Sequence, residues 1–224
     1  MKKELKDFLV GLSVLLLYLL SSFISVLILS ILNIDISSFN KIQKIIYNLS
    51  YEFILILIII FIYRKKLIND IKCFKKSYFS YIRYWFIALI LMLISNIIIN
   101  MFTNIDTSSN QEVIINTFKK APIYTTILAC LFAPILEELV FRLSIRKMFK
   151  TNIIFIVISG LFFGFMHVSS PSSILELLYI IPYSIPGIIF AYTLTKSNNI
   201  LVPIGLHFMH NSLMILIQFI LALI

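Results

Sequence analysis

Uninterrupted apolar runs of about twenty residues recur along this 224-residue chain, and few folds accept them. About twenty residues of helix, at ~1.5 Å each, cross the ~30 Å hydrocarbon core of a bilayer. In that medium each backbone N–H and C=O must be satisfied internally, which leaves helices as the natural form of such runs. They fall at about 8–32, 45–63, 84–102, 121–141, 153–169, 174–195 and 200–223. With 60% of residues apolar, 13% charged and a mean hydropathy of +1.02, the chain is far from a soluble domain. Such domains average ~45–50% apolar and ~25% charged. The expected fold is therefore all-α, a polytopic membrane bundle of about seven transmembrane helices.

The formal charge of +9 is no nucleic-acid footprint, because the basic residues collect in the connections between apolar runs. Arg64, Lys65, Lys66, Lys72, Lys75, Lys76 and Arg83 sit in 64–83, and Arg146, Lys147 and Lys150 follow the fourth run. Lys2, Lys3 and Lys6 precede the first, whose length exceeds the ~7–15 apolar residues of a signal peptide, so it reads as a retained anchor. The alternate connections hold only Lys41 and Lys44, then Lys119 and Lys120. The positive-inside rule then puts the N-terminus in the cytoplasm and the C-terminus outside, in a multi-pass protein of the cell membrane. Segment 103–120, polar at first and then with Val113, Ile114 and Phe118 at helical spacing, reads as a short interfacial helix on the outer face. Residues 1–120 thus supply three spans and the outer segment, and 121–224 supply a four-helix core. Cys73 and Cys130 are too few and too far apart for a disulfide framework.

Three segments of the last four runs carry ionisable side chains at membrane depth, where each costs roughly 2.5–3.5 kcal/mol or more. They are Glu137-Glu138 with Arg142, Phe163 with His167, and His207 with Asn211. The turn between the fourth and fifth spans falls near Thr151-Asn152, with Glu137 fifteen residues before Asn152 and His167 fifteen after it. In an antiparallel hairpin, equal distance from the turn means equal depth, so the carboxylate and the imidazole can face each other. Glu138 and Arg142 are four apart with the acid first, the favoured order for an ion pair on one helix face. That leaves Glu137 as the free carboxylate. Phe163 and His167 share a face, as do His207 and Asn211.

A carboxylate opposite an imidazole can activate water as a general base, and a His with an Asn can donate to a developing oxyanion. Glu137, His167 and His207, with an Asn oxygen or a water, are equally a donor set of the kind that holds zinc. The spacing leaves both readings open. Taken singly, each polar residue reads as an interhelical hydrogen bond. His210, three residues after His207, is the alternative active imidazole. Glu52, Asn48, Asn96 and Asn100 read as helix-packing or interface residues, Glu176 as an interfacial residue at the outer face, and Gly160 with Gly164 as a site of close helix packing.

The three motifs, in this order and on successive late spans, resemble the signatures of the CPBP intramembrane protease family, also called Abi or the CAAX prenyl endopeptidase type II-like family. Ala133-Pro134 before the glutamates and Ile200 to Pro203 before His207 are also similar to family usage, and the likeness covers about residues 121–215. It implies an intramembrane endopeptidase in which Glu137 and His167 activate water while His207 and Asn211 stabilise the oxyanion. Glu138 and Arg142 would brace the helix, with Phe163 as further structural support. The family is often labelled metalloprotease, and a metal-free glutamate mechanism is also argued for it, so the cofactor is either none or zinc. The implied partners are the bilayer and a small hydrophobic or lipid-associated peptide, with no nucleic acid. Pheromone processing, bacteriocin self-immunity and surface-protein display are the associated roles. Two other classes stand beside this one: a catalytically idle immunity protein acting by binding, and a small ion carrier using Glu137 and the histidines as a relay. The last four spans are expected to form a conical core open to the cytosol or sideways to lipid, with the site nearer the cytosolic side.

Overall fold

A computed structural model describes residues 2–103 and 105–223; Met1 of the charged start, Asn104 of the polar outer stretch, and Ile224 lie outside the described residues. The described residues form helices joined by short connections: α1 (Lys2–Ile31), α2 (Lys41–Lys72), α3 (Lys76–Thr103), α4 (Ser109–Lys120), α5 (Pro122–Met148), α6 (Asn152–His167), α7 (Ile174–Ser197) and α8 (Leu201–Leu221). Among the described residues six helices, all but α4 and α6, are long and apolar enough to cross a membrane. The seventh expected span, α6, has 16 residues and rises only ~24 Å, short of a full crossing. It ends at His167, where an irregular stretch rich in serine takes over.

α2 continues about two and a half turns past its expected end, into the basic segment. Lys and Arg are good helix formers, and their long stems let the charged heads leave the apolar zone. The extension is anchored: buried Asp70 pairs with Lys66 at 2.7 Å and accepts the Ile200 N–H at 2.9 Å, while Asn199 donates to the Asp70 carbonyl. This fastens α2 to the α7–α8 turn. At the same end Asp7 of α1 bridges Lys147 and Lys150, and Tyr63 meets Ser144. The N-terminus, segment 64–83 and the α5–α6 and α7–α8 turns therefore share one end of the bundle, the basic end.

The other end is organised around α4. Ser108 caps it through the Gln111 N–H, and Glu112 lies in its first turn. Glu176, read from sequence as interfacial, is in fact buried. Its carboxylate accepts from Ser109 N and Oγ and from Ser172 N and Oγ at 2.5–2.8 Å. An anion at a helix N-terminus also gains from the helix dipole. Ser108 meets Tyr183 and Tyr179 donates to the Ile105 carbonyl, so α4 is pinned to the start of α7.

α6 and α7 pack closely, and Gly160, Gly164 and Gly187 allow it. A Cβ at Gly160 would strike Ile188, and one at Gly164 would strike Ser184 and the Ile180 carbonyl. Small residues let backbones approach where water exclusion gives no help. The main apolar core, including Ile59, Leu139, Val140, Phe141 and Phe155, lies between α1, α2, α5 and α6 towards the basic end.

Candidate active site

α5 is not a regular helix. It contains two wider π segments, Leu128–Phe132 and Leu139–Ser144, on either side of Glu137 and Glu138. The first follows from Pro134, which has no N–H to offer the turn before it. Ala133 N–H bonds the Leu128 carbonyl five residues back instead of that of Ala129. The Ala129 carbonyl is thereby released, and Asn211 Nδ2 donates to it at 2.7 Å. A single π turn of this kind is characteristic of functional helices. Here it binds α8 to α5 about two turns before Glu137.

Glu138 and Arg142 are both fully buried and paired, Nε to Oε2 at 2.8 Å and Nη2 to Oε1 at 3.2 Å. Arg142 Nη1 also donates to Ser159 Oγ at 2.8 Å and to the Ser159 carbonyl, and Ser159 Oγ donates to the Phe141 carbonyl. The guanidinium lies over the Phe163 ring, 4.9 Å from its centroid. A buried ion pair survives only when its remaining donors and acceptors are satisfied, and here they are. The last site on Glu138 is taken by His207, whose Nδ1 is 3.0 Å from Oε1. Its ring is held between Phe163, edge-on at 5.6 Å, and Phe190, stacked at 5.3 Å.

Glu137 points elsewhere. Its Oε2 is 3.9 Å from His167 Nε2, too long for a direct hydrogen bond, and that oxygen has no hydrogen-bond partner among the described residues. His167 Nδ1 is 2.8 Å from the Phe163 carbonyl. A carbonyl only accepts, so Nδ1 carries the proton and Nε2 presents its lone pair towards Glu137. Tyr183 stacks on this ring at 4.9 Å.

A cavity of about 430 Å³ runs from these groups. Its inner wall includes Glu137, Phe163, His167, His207, His210 and Asn211, and its outer part is lined by α4 and the adjoining ends of α5 and α8, with Gln111, Thr117, Tyr124 and Gln218. It therefore extends towards the α4 end, away from the basic end. The basic end is closed by the packed core and the Asp70, Tyr63–Ser144 and Asp7 contacts. Glu52 of α2, read from sequence as a packing residue, also lines this cavity.

The structure thus gathers all seven motif residues, but in two groups. Glu137 and His167 face the cavity with free atoms, whereas Glu138, Arg142 and His207 form a buried chain, with Asn211 held by Ala129. His210, the alternative imidazole, lines the cavity with its Nδ1 buried and unpartnered among the described residues. The suggested zinc set does not converge: no three His, Cys, Asp or Glu side chains are placed to share a metal among the described residues, since His207 is turned onto Glu138. Ser159, Tyr183 and Phe190 are contributors that the motif reading missed. Ser159 lies one turn before Phe163, and Tyr183 and Phe190 are seven apart on one face of α7, so helical spacing alone marked them as candidates.

Residues 119–213 match the family model described as Type II CAAX prenyl endopeptidase Rce1-like, the family that the three motifs resemble. An uncharacterized protein of Mycoplasma capricolum is 31% identical over 174 residues, covering 68% of this chain and 50% of that protein. A Bacillus subtilis protein carrying the name "Putative membrane peptidase YdiL" is 31% identical over 114 residues, covering 50% of this chain and 43% of its own length. The chain spans about half the length of these relatives or less. No solved structure matches it. The apolar helices and the family match together identify a multi-pass membrane protein.

Proposed function

We propose that this protein is an intramembrane endopeptidase that hydrolyses a peptide bond in a small hydrophobic or membrane-associated peptide. The observation that carries the proposal is the facing pair of acceptors, Glu137 Oε2 and His167 Nε2, 3.9 Å apart on the wall of a cavity. A water donating one hydrogen bond of ~2.8 Å to each would subtend an angle of roughly 90°, near its own H–O–H angle. Its lone pair is then directed at a carbonyl in the cavity. Glu137 takes one proton as the water attacks and delivers it to the leaving amine.

The developing oxyanion needs donors. His207, with Nδ1 directed at Glu138, supplies one from Nε2 when the ring carries a proton on both nitrogens. Asn211 uses one N–H on Ala129 and keeps the second for the substrate. Residues 121–224 form the catalytic core in this reading, and α1 to α3 complete the cavity wall. The positive-inside rule places the basic end in the cytoplasm, so the peptide enters from the outer leaflet side, past α4.

The test compares wild type with Glu137→Gln in nanodiscs against quenched apolar peptides. Cleavage by wild type alone supports the proposal. Equal cleavage by both, or none by wild type with cellular function retained by Glu137→Gln, sinks it and favours an immunity protein acting by binding.

A further inference from the structure

Glu52 has no part in the chemistry above. It lies eleven residues into α2, at membrane depth, where an ionisable side chain is costly and calls for a function or a partner. Among the described residues it makes no hydrogen bond or ion pair, and it lines the same cavity as Glu137. The residues lining that cavity include two carboxylates, Glu52 and Glu137, and no Lys or Arg. Tyr18, Tyr124 and Phe132 also line the cavity, and aromatic rings are side chains that accommodate cations. His167, His207 and His210 stand on the inner wall with Glu137, so it is the stretch at Glu52 that is complementary to positive charge, and Glu52 is its uncommitted acid.

Its depth is legible from the helix ends. Lys41 at the start of α2 donates to the Lys120 carbonyl at the end of α4, two residues before α5 begins, so α2 and α5 enter at nearly one level. Glu52 is then ~16 Å and Glu137 ~22 Å from that level at 1.5 Å per residue. The difference of ~6 Å along the axis is about two residues of an extended peptide at ~3.3 Å each.

We propose that Glu52 is a specificity-determining residue, an acidic subsite that holds a cationic group of the peptide about two residues from the bond that is cut. The group is a Lys or Arg side chain or a free α-amino group, chemically equivalent at this carboxylate. The inference rests on the peptidase reading for its name, but its test does not need turnover.

The experiment uses full-length Glu137→Gln protein in nanodiscs and fluorescein-labelled apolar peptides. The peptides are identical except for one Lys, norleucine or Glu stepped along the sequence, each with a free or acetylated N-terminus. Anisotropy should show the Lys peptide binding about 10- to 100-fold tighter than its norleucine twin at one position, the range of a charge-assisted hydrogen bond. If the α-amine is the ligand, the gain appears instead in the non-acetylated series at one distance from the N-terminus. Adding Glu52→Gln should bring the twins within about twofold, and Glu52→Lys should reverse the preference towards the Glu peptide. An unchanged Lys-to-norleucine ratio in Glu52→Gln, or equal binding of all peptides to the parent, overturns the subsite. Wild-type cleavage of the same peptides separates the two ideas. Turnover without charge preference leaves the peptidase and removes the subsite, whereas Lys-selective binding without turnover does the reverse.

Discussion

Nδ1 of His207 lies 3.0 Å from Oε1 of Glu138, a contact that ties α8 to α5 and fixes which ring nitrogen faces the cavity. Glu138 also holds Arg142, so one fully buried carboxylate serves two partners. Removing one member of a buried pair leaves the other charge uncompensated, at about 3–5 kcal/mol. Glu138→Gln should therefore lower the thermal midpoint and abolish cleavage together. The double variant Glu138→Gln/Arg142→Met should recover most of the stability and none of the activity, because His207 still lacks its carboxylate. Recovery of activity in that variant would deny His207 its dependence on Glu138.

His167 is tethered by Phe163 and Tyr183 and not by the ion pair, so it can be removed with less structural cost. His167→Gln should reduce kcat by about 10²- to 10⁴-fold, the usual weight of a general acid–base group, with KM little changed. Thermal midpoint and kcat measured on the same preparation would distinguish this from misfolding. A fall in stability equal to that of the Glu138 variant would make His167 a packing residue.

Much of this arrangement could be read from spacing. Apolar runs fixed where helices lie, the fifteen-residue symmetry about Asn152 put Glu137 opposite His167, and the i, i+4 rule paired Glu138 with Arg142. What spacing could not show came from long-range contacts. The carboxylate of Glu138 had two partners, and only tertiary packing brings the second, His207, from sixty-nine residues away. Nor does a regular 3.6-residue period contain the π turn at Leu128–Phe132, whose cause is a missing N–H and whose effect is felt on another helix. The cavity's direction depends on α4, which spacing marked only as a short interfacial helix and which Glu176 fastens at its N-terminus.

The donor set argues about metal in a testable way. Zinc sites in hydrolases use three protein ligands converging on one ion. Here His207 is committed to Glu138 and only Glu137 and His167 face each other. Cleavage should persist at its original rate after dialysis against a chelator, and stoichiometric zinc should be missing from the active preparation by elemental analysis. Loss of activity on chelation, restored by zinc, would require His207 to leave Glu138.

Two glycines make a matched pair for stability. At Gly164 an added Cβ meets the Ile180 carbonyl and Ser184, and backbone does not move aside cheaply, whereas at Gly205 nothing lies within 4 Å. Gly164→Ala should cost about 1–3 kcal/mol by forcing α6 from α7. Gly205→Ala should be neutral or stabilising by up to about 1 kcal/mol, as expected for Gly replaced inside a helix. Denaturation in detergent would rank the two, and equal effects would mean that α6 and α7 do not pack as closely as their glycines permit.

Pro134 offers the sharpest test of how the site is built, because it touches no substrate in the proposed mechanism. With no N–H at 134, α5 widens, Ala133 bonds Leu128, and the Ala129 carbonyl is left for Asn211. Pro134→Ala restores the N–H and lets α5 return to regular α-helix, in which Ala133 reclaims Ala129. Asn211 then loses its acceptor, and the residues after the bulge, Glu137 among them, turn relative to α8. Stability should hold or rise, since a helix hydrogen bond replaces a side-chain one, while kcat falls at least about tenfold through the displaced groups. Asn211→Ala alone should also lower kcat, and the two changes together should cost less than their sum, because both break one connection. A double-mutant cycle on kcat/KM measures this directly. Strict additivity would show that the π turn and Asn211 act independently, and the link from a proline on α5 to a side chain on α8 would fail.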